Sequence, residues 1–181
     1  MTPTFKNVAN KLVQGTDGNN YWISRSCAVV GLVIAKYKGF VYVLLEKRSE
    51  IMDEPNKYAL PSGYIDFNEN GYEGIERELF EETGFYIPNF RESLKFNNNN
   101  EPFYVHTDPN TDAKQNVSLT YIFIYDFSRI EMPMQIENFK NHEIAEVKWC
   151  NITDLPKSEL FAFHHLDRID LAINKYFDLI F

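Results

Sequence analysis

Residues Ser26 to Tyr37, SCAVVGLVIAKY, form a near-continuous apolar and β-branched run. A strand with one wet face alternates apolar and polar residues, whereas a strand covered on both faces reads as an unbroken apolar stretch. The run therefore predicts a central strand with a layer of structure on each side. A second strand, Phe40 to Glu46 (FVYVLLE), follows the Lys38-Gly39 turn, so the two form a hairpin. Further strands are expected at Glu101 to His106, Leu119 to Tyr125 (LTYIFIY) and Val147 to Cys150. From Lys157 to Phe181, apolar residues such as Leu160, Phe163, Leu166, Ile169 and Phe177 fall at helical spacing, which predicts one or two amphipathic helices. Strands mixed with helices at separated positions give an α/β layered fold with a mixed sheet.

The 181 residues suit a single domain, with residues 1–23 as an N-terminal arm or a hairpin built on the turn signal Thr16-Asp17-Gly18-Asn19-Asn20. A hydrophobic share of 44% is enough for a well-filled core and excludes global disorder. The net charge of −8 disfavours a nucleic-acid-coating role, because a long polyanion is repelled by that average field. A small phosphate ligand stays open, since a bound divalent cation inverts the local sign. Cys27 and Cys150 belong to no CxxC pair and read as reduced core residues. No signal-peptide core and no apolar run of membrane-spanning length is present, so the cytoplasm is the default expectation and no membrane partner is expected.

The stretch Gly63 to Phe85 carries the chemistry. Asn70 followed by Glu73 reads as a capping box, and Gly84 after Thr83 as a left-handed stop. Between them Tyr72, Ile75 and Leu79 share an apolar face that should dock on the sheet. Glu78, Glu81 and Glu82 fall within an arc of roughly 100° over the last turns. They sit at the helix C-terminus, where the macrodipole disfavours negative charge. In a partly buried cleft, two charges about 5 Å apart repel by roughly 3 kcal/mol at an effective dielectric near 20. A hard divalent cation such as Mg²⁺ relieves that conflict, although a solvated acidic face is the common use of a bare triplet and spacing alone does not decide.

The wider pattern does decide. The stretch resembles the Nudix box, Gx5Ex7REUxEExGU with U a bulky aliphatic residue: Gly63, Glu69, Arg77, Glu78, Leu79, Glu81, Glu82 and Gly84 all stand in place, and Phe85 fills the last position as an aromatic. The resemblance implies an α/β/α sandwich around a mixed β-sheet. It also implies a Mg²⁺- or Mn²⁺-dependent hydrolase of phosphoanhydride bonds that releases a nucleoside monophosphate. By resemblance, Glu78, Glu81 and Glu82 are metal ligands, Arg77 and Glu69 brace the helix and orient a metal-binding glutamate, and Gly63 allows close backbone approach. Ser62 stands where many members have a first glycine, beside the expected substrate phosphates. Glu143 resembles a further metal ligand or base before the last core strand, with Glu146 as the competing position.

Arg48, after the second strand, either faces the substrate phosphates or lies in solvent. The histidines at 106, 142, 164 and 165 share no ligand spacing and read as structural or surface residues. Substrate candidates are ADP-ribose and other nucleotide sugars, nucleoside triphosphates, dinucleoside polyphosphates and the 5′ end of RNA. The Asn-, Pro- and Asp-rich stretch from Phe96 to Lys114 is an expected specificity region. Three readings stay open: oligomeric state, with a homodimer not excluded; a catalytically silent nucleotide-sensing module on the same fold; and, lowest, a Ca²⁺-binding structural protein, for which the alternating Asp/Asn ligands are missing.

Overall fold

A computed structural model describes residues 9–110, 115–134, 136 and 140–181. Residues 1 to 8 of the expected N-terminal arm, and 111 to 114 of the expected specificity stretch, lie outside them. The turn signal at Thr16 to Asn20 closes a hairpin of β1 (Lys11–Gln14) and β2 (Asn20–Ile23), exposed along both strands. The apolar run becomes β3 (Cys27–Tyr37), which turns into β4 (Phe40–Arg48). Then follow β5 (Tyr58–Ala59), β6 (Ser62–Tyr64) and α1 (Gly71–Thr83). After these come β7 (Leu94–Phe96), β8 (Tyr104–His106), β9 (Val117–Asp126) and β10 (Ile144–Asn151). The chain closes on α2 (His165–Lys175) and α3 (Phe177–Ile180).

The main sheet runs β10-β4-β3-β9-β7, with β5 on β4, β6 on β3 and β8 on β9. It is mixed: β3 and β9 pair in parallel, and the other pairs are antiparallel. β3 is buried on both faces, as its composition predicts. Val29, Val33 and Ala35 join Ile75 and Leu79 of α1 in one core layer, while Val30, Leu32 and Ile34 join Ile169 and Ala172 of α2 in the other. The result is an α/β/α sandwich. Ile75 and Leu79 are fully buried, and each contributes about 1.5–3 kcal/mol relative to exposure. That burial fixes which face of α1 points away from the sheet.

Several element boundaries differ from the sequence expectation. β8 starts at Tyr104 rather than Glu101, because Pro102 has no N–H for the ladder. β10 starts earlier, at Ile144, through a register shift between Ile144 and Glu146. β5, β6 and β7 are too short to show a period in sequence. The C-terminal segment gives two helices, and left-handed Phe163 and His164 (φ 53° and 55°) set the start of the first. Both cysteines are free. Among the described residues, no helix is long and apolar enough to cross a membrane.

Candidate active site

The caps of α1 place its carboxylates. Asn70 Oδ1 accepts the N–H groups of Tyr72 (2.9 Å) and Glu73 (3.1 Å), and Glu73 Oε2 accepts the Asn70 N–H at 2.8 Å. Gly84, at φ 73°, ends the helix with its N–H on Phe80 O. Only a residue tolerant of left-handed backbone closes a helix this way cheaply. Phe85 follows, fully buried, stacked on Phe90 and edge-on to Tyr125 and Trp149. An aromatic suits that place because its neighbours are aromatic.

With both ends fixed, the three glutamates separate. Glu78 and Glu82 turn inward and are 9% and 6% exposed. Glu81 points outward, its side chain 56% exposed, and accepts from Arg77 Nη1 at 3.0 Å. Ser62 N–H donates to Glu82 Oε2 at 2.7 Å, so β6 holds that carboxylate directly. Gly63 lies against Glu78: a Cβ there would stand 2.6 Å from Glu78 Oε2 and closer still to Oε1. The close approach expected of this glycine is therefore toward the Glu78 carboxylate.

Arg77 ties the assembly together. Its Nε and Nη2 fork onto the two oxygens of Glu69 at 3.1 and 2.7 Å. Nη1 donates to Glu78 Oε1 at 2.7 Å, and Nη2 also reaches the Tyr64 carbonyl. Only a planar guanidinium serves so many acceptors from one position. The Arg77 hydrogen bonds hold Glu69 below the usual carboxylate range. Burial dominates at Glu78 and raises its pKa, against the opposing pull of Arg77.

Sequence reasoning missed Glu46, the last residue of the predicted FVYVLLE strand. It is fully buried against Glu82, and apart from that carboxyl–carboxyl contact neither of its oxygens has a hydrogen-bond partner. Burial, then the neighbouring Glu82 charge, pushes its pKa well above the ordinary value; burial likewise raises Glu82. Two such carboxyls oppose each other's ionisation in the absence of a cation. Arg48, one of the two readings above, is buried rather than in solvent. Its Nη1 stands 4.0 Å from Glu46 Oε1, its Nε donates to Asp53 O at 2.6 Å, and Phe163 packs beneath the guanidinium.

Glu78, Glu82, Ser62, Gly63, Arg48 and Glu143 line one cavity of about 1320 Å³. Glu143 is carried on a loop that Asn141 ties to α1: Asn141 Oδ1 accepts the Glu143 N–H at 2.8 Å, and its Nδ2 donates to Glu81 O at 3.2 Å. Glu146 lies on β10 and is not on the cavity wall. Glu69 and Arg77 stand behind Glu78, outside the cavity. His165, expected to be structural or surface, is buried in the wall; its Nδ1 accepts the Leu60 N–H at 3.0 Å. The carboxylate oxygens of Glu78, Glu82 and Glu143 are hard donors that suit a hard cation such as Mg²⁺. Among the described residues no three His, Cys, Asp or Glu are already gathered around one ion position. Glu78 and Glu81 are held by Arg77 instead.

The layered α/β/α fold thus buries an acidic, Arg-braced helix end against a cavity. A family model for the NUDIX domain matches residues 25–169, and the chain belongs to that family. Solved structures agree in fold. A MutT/nudix family protein from Enterococcus faecalis has a TM-score of 0.67 at 21% identity, covering 87% of this chain and 64% of that one. A bifunctional NMN adenylyltransferase/ADP ribose pyrophosphatase from Francisella tularensis, complexed with AMP and manganese, has a TM-score of 0.63 at 18% identity, covering 84% and 42%. The NUDIX domain of Shewanella oneidensis NrtR, complexed with ADP ribose, has a TM-score of 0.55 at 21% identity, covering 84% and 89%. The chain thus spans less than two thirds of the first two of these proteins. No curated protein matches the sequence.

Proposed function

We propose that this chain is a Mg²⁺- or Mn²⁺-dependent pyrophosphohydrolase. It cleaves the phosphoanhydride of a nucleoside diphosphate compound and releases a nucleoside monophosphate. The observation that carries the reading is the burial of Glu78 and Glu82 against Glu46, on the wall of a cavity, without a cation sufficient for three carboxylates. Natural cores rarely crowd carboxyl groups this closely unless a ligand compensates them. When bound, a divalent ion supplies charge neutralisation of the phosphates and a more acidic attacking water.

The chain's own residues do the positioning. Ser62 N–H fixes Glu82, and Arg77, anchored by Glu69, fixes Glu78. Glu143, half-exposed on the cavity rim, is placed to take a proton from water or to complete the cation site. Arg48, beside Glu46 on the cavity wall, offers a cation to the phosphates.

ADP-ribose is the first compound to test, because one protein of this fold is an ADP ribose pyrophosphatase and another is complexed with ADP ribose. A screen of nucleoside diphosphate compounds with Mg²⁺ and Mn²⁺, read as monophosphate release, tests the proposal. Turnover by the natural chain that falls at least a hundredfold, about 2.7 kcal/mol, in a folded Glu82→Gln variant supports it. The silent sensor is the competing reading, since one of the similar structures is NrtR. Tight ADP-ribose binding with no release from any compound in the screen would replace the enzyme by that sensor.

A further inference from the structure

The wall opposite the carboxylates carries a buried cation that the proposed hydrolysis leaves unused. Arg168 of α2 is only 8% exposed and lines the cavity. Its Nη1 donates to Thr120 Oγ1 and its Nη2 to Ser118 Oγ, both at 3.0 Å. Its helix neighbour Asp167 points to His164 instead, and no carboxylate among the described residues pairs with Arg168. Two neutral hydroxyls leave the charge of a guanidinium uncompensated. Burying a cation this way is unfavourable unless an anion arrives.

The sheet register says where that anion would sit. β6, β3 and β9 bring Ser62, Val30 and Thr120 into one row, and Tyr64, Ala28 and Ser118 into the next. Neighbouring strands lie about 4.8 Å apart, so Arg168's hydroxyl partners stand roughly 10 Å from Ser62, whose N–H holds Glu82. The two phosphates of one anhydride, held at Glu82, end short of that distance. Between the two ends, Ala28 and Val30 contribute an apolar stretch of the cavity lining. His165 adds a second donor to the same wall: with Nδ1 accepting from Leu60, the neutral ring carries its proton on Nε2.

We propose that Arg168, with Ser118 and Thr120, is an anion subsite for an additional phosphate carried on the ribose of the nucleotide, separate from the diphosphate that reacts. The inference rests on the proposed function only for where the diphosphate lies. The preferred substrate class is then a nucleoside diphosphate compound phosphorylated at the ribose 2′ or 3′ oxygen.

The test is calorimetric binding of AMP, adenosine 2′,5′-diphosphate and adenosine 3′,5′-diphosphate to the full chain in Mg²⁺ buffer. These are monophosphate-type products, so turnover is not needed for the readout. One charge-assisted hydrogen bond supports roughly a tenfold to hundredfold preference for one of the bisphosphates, and the two arms say which oxygen bears the phosphate. Arg168→Gln should reduce that ratio to about one while AMP affinity stays within about threefold, and Arg168→Lys should keep part of it. Equal affinity for all three compounds, binding of none, or an Arg168→Gln variant that loses AMP and bisphosphate binding equally overturns the subsite. A chain that shows the preference yet releases no monophosphate from any compound sinks the enzyme reading alone.

Discussion

Gly63→Ala adds a single methyl group at the position with least room for it. The new Cβ would fall 2.6 Å from Glu78 Oε2 and nearer to the rest of that carboxylate. Non-bonded heavy atoms settle at about 3.5 Å, so the carboxylate must retreat by about 1 Å or more. It cannot do so quietly, because Arg77 Nη1 holds Oε1 at 2.7 Å. β6 is ordinary extended backbone registered with Val29, so the change strains the carboxylate and not the strand. Misplacing a reacting group by about 1 Å costs about a hundredfold, or about 2.7 kcal/mol of transition-state stabilisation. Initial rates of monophosphate release against Mg²⁺ concentration, with the melting temperature as a control, measure it. The expected result is a large fall in kcat with a melting point within a few degrees of the natural chain's. Shortening the obstructed side chain in Gly63→Ala/Glu78→Asp should restore part of the rate. Full turnover by Gly63→Ala at saturating Mg²⁺ would show that the Gly63–Glu78 approach does not position the chemistry.

Two further outcomes follow from the same geometry. Glu46 and Glu82 have folded pKa values raised above 4.5, so the pair stabilises the fold in acid, and that contribution is lost as pH rises through the raised values. In chelator, the melting-temperature advantage of Glu46→Gln over the natural chain should therefore grow from pH 5 toward alkaline pH and shrink when Mg²⁺ is added; a pH-independent difference would mean the two carboxyls do not oppose each other's ionisation. Arg77→Lys keeps the charge but cannot fork onto Glu69, so, allowing for the partial exposure of both side chains, it should cost about 1 kcal/mol of stability by thermal melting and more than a tenfold loss in kcat. Unchanged values on both measures would remove Arg77 from the brace.

The parts of the fold that short-range rules govern were legible in the sequence. β3 announces its two covered faces through composition, and α1 announces both ends through Asn70, Glu73 and Gly84. The glutamate spacing showed crowding, but not that Glu81 swings out to Arg77 while Glu78 and Glu82 turn in; that depends on how Ile75 and Leu79 seat the helix. Glu46 had a faint signal, an acid closing an otherwise apolar buried strand two residues before Arg48. Arg168 had none. Its partners lie on β9, and only the register of β9 beside β3 brings Ser118 and Thr120 beneath it.

The parallel partnership of β3 and β9 also dictates an order of assembly. Cys27 is registered with Val117, so that ladder closes a long loop containing β4, α1 and with it Glu78, Glu81 and Glu82. Such distant pairings pay their loop entropy before any contact rewards it, and they are slow to form. Until Val117–Asp126 docks, neither Ser118 nor Thr120 is in place for Arg168. A nascent chain that has already made the acidic helix therefore still lacks the opposite wall, and a truncation before β9 should leave a helix with nothing to grip its ligand against.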